Sequence, residues 1–233
     1  KGVNVSNLNT TTETKGIAVT KIALVTGASG GIGKAVCRRL AEDGFNVMVT
    51  DIAADTAKKL AADLPGSGHH GYALDVTDEI MVSDLMGEIE TAHGAVSVVV
   101  SAAGILILDQ NGQRRPIIDT SLEEWSTTQS VNSTGTFLLL RAFLRARSER
   151  KVNGARFIGF SSVAAQLGGY RSSSAYIASK SAVLGLIRAG AREGATLATM
   201  VSQRIDQVEG AVIATRALIP ALMQAQRQRT LKR

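Results

Sequence analysis

One cysteine, three prolines and 4% aromatic residues in 233 positions remove several possibilities at the outset. A lone Cys37 cannot form an internal disulfide or a cysteine cage for zinc, which suits a reducing compartment; helix packing is its expected role. His69, His70 and His93 show no metal-ligand spacing with one another or with Cys37, so no metal site is expected. No apolar run reaches the ~20 residues of a membrane span. The longest candidate, Val96 to Leu108, is interrupted by Ser97, Ser101 and Gly104. A soluble, cytoplasmic protein with no membrane contact is the expectation. The formal charge of +6 raises nucleic-acid binding, yet there are few aromatics to stack on bases. The basic residues are scattered or gathered at helix ends, and Arg141, Arg145, Arg147, Arg150 and Lys151 read as a solvated helix terminus. The ending from Arg227 to Arg233 reads as a frayed basic tail rather than a docking site for an acidic partner. No nucleic-acid partner is expected.

What the chain does have is glycine, 23 of them, and 45% hydrophobic residues, a composition for a compact α/β protein with tight turns. The length suits one domain. Residues Lys1 to about Thr20 are rich in Asn and Thr and read as a flexible leader, with a single domain over 21–233.

Lys21 to Thr26 is a short apolar run that ends in Gly27-Ala28-Ser29-Gly30-Gly31-Ile32-Gly33, and a helical pattern through Val36, Leu40 and Ala41 follows. Strand, glycine turn, helix is the order that lets a backbone approach a phosphate and offers it the positive end of a helix. A tight structural turn is the alternative. Asn46 to Thr50 forms a second strand and stops at Asp51, roughly 20 residues past the glycines, where a dinucleotide fold places the acid that binds a ribose. There a carboxylate accepts from a 2′-hydroxyl and repels a 2′-phosphate, and neither Gly30 nor Ile52 offers a compensating cation. NAD is therefore favoured over NADP, unless Asp51 caps the following helix.

Ala53 to Leu64 reads as a helix, Gly71 to Leu74 as a third strand and Thr77 to His93 as the next helix. Asp75, before Val76, either binds adenine or starts that helix. Val96 to Val100 is a fourth, almost wholly apolar strand. Such strands alternating with amphipathic helices predict a doubly wound parallel sheet flanked by helices on both faces, with ligands beyond the strands' carboxyl ends. Ser101-Ala102-Ala103-Gly104 at the end of the fourth strand would let a ring or ribose lie against the backbone, although small residues also simply pack well. Ile105 to Ser121 is a long connection at the same edge, in the manner of a binding loop. Ser121 and Glu124 suggest a capping box opening one long helix through Trp125, Val131 and Leu144. Asn132 inside it either faces solvent or faces the cleft, where it holds a water or opens the local ladder.

Ala155 to Phe160 is a fifth strand delivering Ser161 and Ser162, and Ser174 opens a helix carrying Tyr176 and Lys180 one turn apart on one face. A unit charge about 4 Å from a phenol at an effective dielectric near 20 is worth roughly 4 kcal/mol, or about three pKa units. A lysine so placed turns a tyrosine into a usable general acid–base, and Ser162 beside it would hydrogen-bond a substrate oxygen. The bland alternative is a surface Tyr and Lys on an amphipathic helix.

Together these pieces resemble the short-chain dehydrogenase/reductase family, over about Lys21 to Glu193. Thr26-Gly27, Gly31 and Gly33 match its cofactor turn, Asp51 its NAD-type acid, Asp75-Val76 its adenine contact, and Asn132, Ser162, Tyr176 and Lys180 its catalytic tetrad. The resemblance implies a Rossmann-like fold. It also implies NAD contacts from Gly27, Ser29, Gly31, Ile32, Gly33, Asp51, Ile52, Asp75, Val76, Ala102, Ala103 and Gly104, with Tyr176 and Lys180 on the nicotinamide side. It implies a homotetramer or homodimer built on the helix around 121–148 and the active-site helix. The expected activity is NAD-dependent oxidation of a secondary alcohol or reduction of a ketone on a small-molecule substrate: a polyol, sugar, steroid or other hydroxy compound. A 3-oxoacyl-thioester reductase and a catalytically weak NAD-binding scaffold are the rivals.

Two departures stand out. The family's Asn-Asn-Ala-Gly is Ser101-Ala102-Ala103-Gly104 here, and no Pro-Gly follows the active-site helix, since the only Pro-Gly is Pro65-Gly66. The stretch after Lys180 reads as helical over Thr196 to Val208 and Ala211 to Gln226, with no buried strand. Truncation, residues missing near Glu193-Gly194 and a divergent C-terminal part would each account for it; missing residues are favoured, because the catalytic half is intact.

Overall fold

The computed structural model describes residues 21–169 and 172–206. Six parallel strands form one sheet in the order β3-β2-β1-β4-β5-β6. In chain order these are β1 (Lys21–Thr26), β2 (Phe45–Asp51), β3 (His70–Ala73), β4 (Val96–Ser101), β5 (Ala155–Ser162) and β6 (Thr199–Asp206). Between them run α1 (Gly31–Glu42), α2 (Ala54–Ala62), α3 (Glu79–His93), α4 (Leu122–Gln129), α5 (Gly135–Glu149), α6 (Ala164–Leu167) and α7 (Ser174–Thr196).

The strands are apolar at successive positions because side chains alternate between two covered faces. Ile22 and Leu24 of β1 join Val99, Phe157, Phe143 and Ile187 in one core under α3, α5 and α7. Ala23 and Val25 join Val36, Leu40, Leu60 and Val100 in a second core under α1 and α2. Cys37 lies in that second core, and burial pushes its thiol up to about 12. It is a packing residue, not a nucleophile.

The helical expectation for Thr196 to Val208 is corrected. Helix α7 runs unbroken through Glu193-Gly194 to Thr196, Ala198 turns the chain at φ +54, and Thr199 onward joins β5 from Ala155↔Thr199 to Ser162↔Asp206. Burial alternates at Thr199, Met200 and Val201, a strand period hidden in a segment with only two strongly apolar residues. Asp206 is followed by Gln207 rather than Pro-Gly. The expected leader and the expected helix over Ala211 to Gln226 lie outside the described residues.

The reading of Arg147 as part of a solvated helix end is also corrected. Its guanidinium is fully buried over the Phe143 ring. It donates from Nη1 to Val96 O at 2.6 Å and pairs through Nη2 with Glu90 Oε1, which also accepts from Val96 N at 3.0 Å. Burial pulls the Arg147 pKa down and Glu90 opposes that. This network locks α3 and α5 to the start of β4. Arg147→Ala leaves Glu90 inside without its cation, so we expect a loss of about 3–5 kcal/mol, read as a lower urea midpoint with an unchanged slope. Arg147→Met with Glu90→Leu should lose far less.

Candidate active site

The glycine turn after β1 is defined by what each missing side chain would meet. Gly27 has φ +60, and a Cβ on it would stand 2.5 Å from Ala103 Cα, so this turn lies against the backbone leaving β4. A Cβ on Gly33 would meet Gly27 O at 2.2 Å; glycine here lets α1 close onto the turn. Gly31 differs, with nothing within 4 Å of its ideal Cβ. Gly30 caps α1 without a side-chain bond, so the positive end of that helix opens onto this free space, with Ile32 partly covered behind it. A pyrophosphate fits what the turn offers.

Asp51 does not cap α2, whose N-cap is Ala53 with no side-chain bond. Its Oδ2 accepts from Ser29 N at 3.0 Å and from Ser29 Oγ at 2.6 Å, which binds the acid to the glycine turn. Ile52 beyond it is 74% exposed. Leu74 N donates to Asp51 O at 2.8 Å, so Asp75 reaches the same edge. Asp75 does not start α3 either: its Oδ1 accepts from Thr77 N and Oγ1, while Asp78 caps the helix by accepting from Met81 N. Val76 is buried against Gly135, where a Cβ would meet Val76 Cγ2 at 2.7 Å.

The expected single helix from Ser121 is two helices joined by a π turn, Ser130–Thr134. Asn132 sits in that turn, fully buried, which excludes the solvent-facing alternative. Its Oδ1 accepts from Ile105 N at 2.7 Å, and Nδ2 donates to Ile105 O and Ser179 Oγ, each at 2.9 Å. The ladder opens here because the side chain serves other backbones; π turns often mark functional sites for this reason. Ser101 and Thr136 hydroxyls lie 3.3 Å apart, and Thr136 Oγ1 donates to Asn132 O. Ser101 thus still reaches across to the helix, in place of the longer Asn side chain.

Ser173 caps α7 by accepting from Tyr176 N, and Gln129 Nε2 donates to Ala175 O at 2.9 Å. Lys180 is 7% exposed, which excludes the bland surface pair. Its Nζ donates to Phe160 O at 3.1 Å and stands 5.7 Å from the Tyr176 ring centroid. A Cβ on Gly104 would come within 3.2 Å of Lys180 Nζ and 3.3 Å of Asn132 Oδ1. Asn132, Tyr176, Lys180 and Gly104 therefore share one small space at the carboxyl end of β4. Ser162 ends the neighbouring β5, its Oγ accepting from Ala164 N at 3.2 Å, and the adjacent Ser161 Oγ donates to Lys180 O. Two supporting residues carried no expected role from sequence: Thr26, whose Oγ1 accepts from Ala103 N, and Ser179, which donates to Tyr176 O. Both lay inside the quoted motifs, but a hydroxyl gives no periodic signal.

The family model described as short chain dehydrogenase matches residues 21–218. The chain belongs to the short-chain dehydrogenase/reductase family. It is 36% identical over 183 residues to the short-chain dehydrogenase/reductase eriH of Hericium erinaceus, covering 74% of this chain and 68% of that protein. It is 33% identical over 175 residues to D-threitol dehydrogenase of Mycolicibacterium smegmatis, covering 74% and 64%. It is also 33% identical over 182 residues to the 3-oxoacyl-[acyl-carrier-protein] reductase of Vibrio cholerae, covering 78% and 70%. A crystal structure of a short-chain type dehydrogenase/reductase from Mycobacterium marinum superposes with a TM-score of 0.72 at 30% identity, covering 79% of this chain and 72% of that one. Among the described residues no helix is long and apolar enough to cross a membrane.

The contrast between the glycines gives a direct test. Gly31→Ala meets no protein atom, so its melting temperature should stay within about 2 °C, while binding of a reduced nicotinamide dinucleotide, followed by its fluorescence, weakens at least tenfold. Gly33→Ala should lower the melting temperature itself.

Proposed function

We propose that the chain is an NAD(H)-dependent oxidoreductase that interconverts a secondary alcohol and a ketone on a small hydroxy compound such as a polyol, sugar or steroid. The observation that carries this reading is the buried Lys180 ammonium beside the Tyr176 ring, at the mouth of a glycine turn with free space over Gly31.

Each residue has a role that its bonds allow. Lys180 is anchored on Phe160 O, and its positive charge beside the Tyr176 ring favours the phenolate form. Tyr176 takes the hydroxyl proton of an alcohol or returns it to a carbonyl oxygen. Ser162 accepts from Ala164 N, which leaves its own O–H to donate to the substrate oxygen. Both amide protons of Asn132 are already used, so it acts by holding Ile105 and α7 in place, with only Oδ1 capacity left for a water. A bound nicotinamide supplies the hydride acceptor or donor. Gly27, Gly31, Ile32 and Gly33 would hold the pyrophosphate, with Ser29, whose amide and hydroxyl both donate to Asp51, orienting the acid beside it. Asp51 would hold the adenosine ribose through Oδ1, since Ser29 takes Oδ2. Ile52, Asp75 and Val76 would border the adenine, and Ala102, Ala103 and Gly104 the nicotinamide ribose.

Asp51 supports NAD over NADP, because no cation pairs with it among the described residues and a 2′-phosphate would face its charge unscreened. That same charge stands against a 3-oxoacyl-thioester reductase of the NADPH type. Exposed Leu122, Trp125 and Phe137 on α4 and α5 support a homodimer or homotetramer through that face.

Tyr176→Phe should reduce NAD+-linked oxidation of an accepted polyol, or NADH-linked reduction of an accepted diketone, by about 10²- to 10⁴-fold with NADH affinity unchanged; full turnover in this variant excludes the mechanism. In Asp51→Ala the preference for NADH over NADPH should fall at least tenfold, measured as the ratio of kcat/KM values.

A further inference from the structure

The loop between β4 and α4 starts and ends on the proposed catalytic apparatus. At its start, Gly104 lies against Lys180 Nζ and Ile105 is held by two bonds to Asn132. At its end it runs into α4, whose last residue, Gln129, donates to Ala175 O, next to Tyr176. The loop therefore borders the space where a substrate would meet Tyr176, with Leu106 and Leu108 partly exposed along it.

Its far end carries one charged contact to that helix. Arg115 Nε lies 3.1 Å from Glu124 Oε2. Glu124 is 94% buried by side chain, while about half of Arg115 remains exposed. The expected capping box is only half made: Ser121 Oγ accepts from Glu124 N at 3.0 Å, but the carboxylate turns away to Arg115 and its Oε1 is buried with no hydrogen-bond partner. The Glu124 carboxylate makes no hydrogen bond to α4, and the cation that compensates it comes from the loop. One turn later Thr128 Oγ1 donates to Glu124 O, and the π turn with Asn132 follows. Both ends of the loop are thus tied to the same helical rod.

We propose that the Arg115–Glu124 ion pair is a clamp that holds residues 106–120 against the active-site mouth, and that Glu124 is a positioning residue for substrate, not for cofactor. This rests on the oxidoreductase reading for its consequence, but not for the loop order itself. The two variants differ in what they leave behind: Arg115→Ala leaves the buried Glu124 carboxylate without its cation, whereas Glu124→Gln removes the charge, reduces the contact to a neutral hydrogen bond and preserves the Ser121 cap, which bonds the backbone.

In the whole chain, Arg115→Ala and Glu124→Gln should each speed hydrogen–deuterium exchange at 106–120 at least tenfold. Exchange in α7 and NADH affinity should stay within twofold of the parent. With NADH and diacetyl as the probe carbonyl, KM should rise fivefold or more while kcat changes less than twofold; a parent that does not reduce diacetyl leaves the exchange result to decide. Unchanged exchange at 106–120 overturns the clamp, and so does a general acceleration with a large fall in melting temperature in Glu124→Gln, the variant that leaves no buried charge unpaired. An unchanged KM in a loosened loop overturns the positioning role. Failure of the Tyr176→Phe test alone removes the proposed chemistry and leaves the clamp standing.

Discussion

The active end of the molecule depends on one carboxamide. Asn132 holds both main-chain groups of Ile105 and the hydroxyl of Ser179, so the loop leaving β4, the rod of α4 and α5, and helix α7 meet at a single side chain. A helix interior does not surrender a residue to such work without cost, and the π turn at 130–134 is where that cost is taken. Three hydroxyls around it, on Thr128, Ser133 and Thr136, bond back to carbonyls one turn earlier, a pattern that loosens a helix locally. With Asn132 fixed, Ile105 is held and a Cβ on Gly104 would come within 3.2 Å of Lys180 Nζ, which donates to Phe160 O.

The larger architecture was legible in the sequence because it is written in periods. Continuous apolar strands announced a sheet covered twice, and the glycine turn, Asp51 and the Tyr176–Lys180 spacing marked one edge of it. Asn132 was legible as an anomaly, a polar residue in a helical run with an opened ladder among its alternatives; that the opening takes the form of a π turn was not. Three features were hidden for distinct reasons. Strand β6 has too few apolar residues to outweigh a helix-like composition, and pairing with β5 decides it. Arg147 sits among basic neighbours at the end of α5 and looks solvated until Glu90 and the start of β4 surround it. Glu124 fits a capping box by spacing, while its carboxylate is drawn off by Arg115 from a loop without periodicity.

The two ends of the sheet are treated oppositely. At the amino end of β4, Val96 N and O, Glu90 and Arg147 form a closed set apart from Arg147 Nε, which is buried with no hydrogen-bond partner. At the carboxyl ends, Asp51 keeps Oδ1, Ser162 keeps its proton, and the first turn of α1 opens on free space above Gly31. Polar capacity held in reserve is what a ligand needs, and an α/β sheet provides it only where strands hand over to loops. A folded chain tolerates such reserve because water satisfies it when no ligand does.

The link between Ser29 and Asp51 joins the two halves of that reserve. Ser29 lies in the turn that would cradle a pyrophosphate, and both its amide and its hydroxyl point to the acid that would hold the adenosine ribose. A carboxylate left to rotate freely would lose side-chain entropy on meeting a ribose. Here one oxygen is already fixed and the other is aimed by that fixation. Two charge-assisted bonds also draw negative charge toward the turn, close to where a pyrophosphate would sit, so the acid must be near enough to be oriented and far enough not to repel. Placing the acid at the end of β2, one strand away from the turn after β1, meets both conditions through the spacing of the sheet itself.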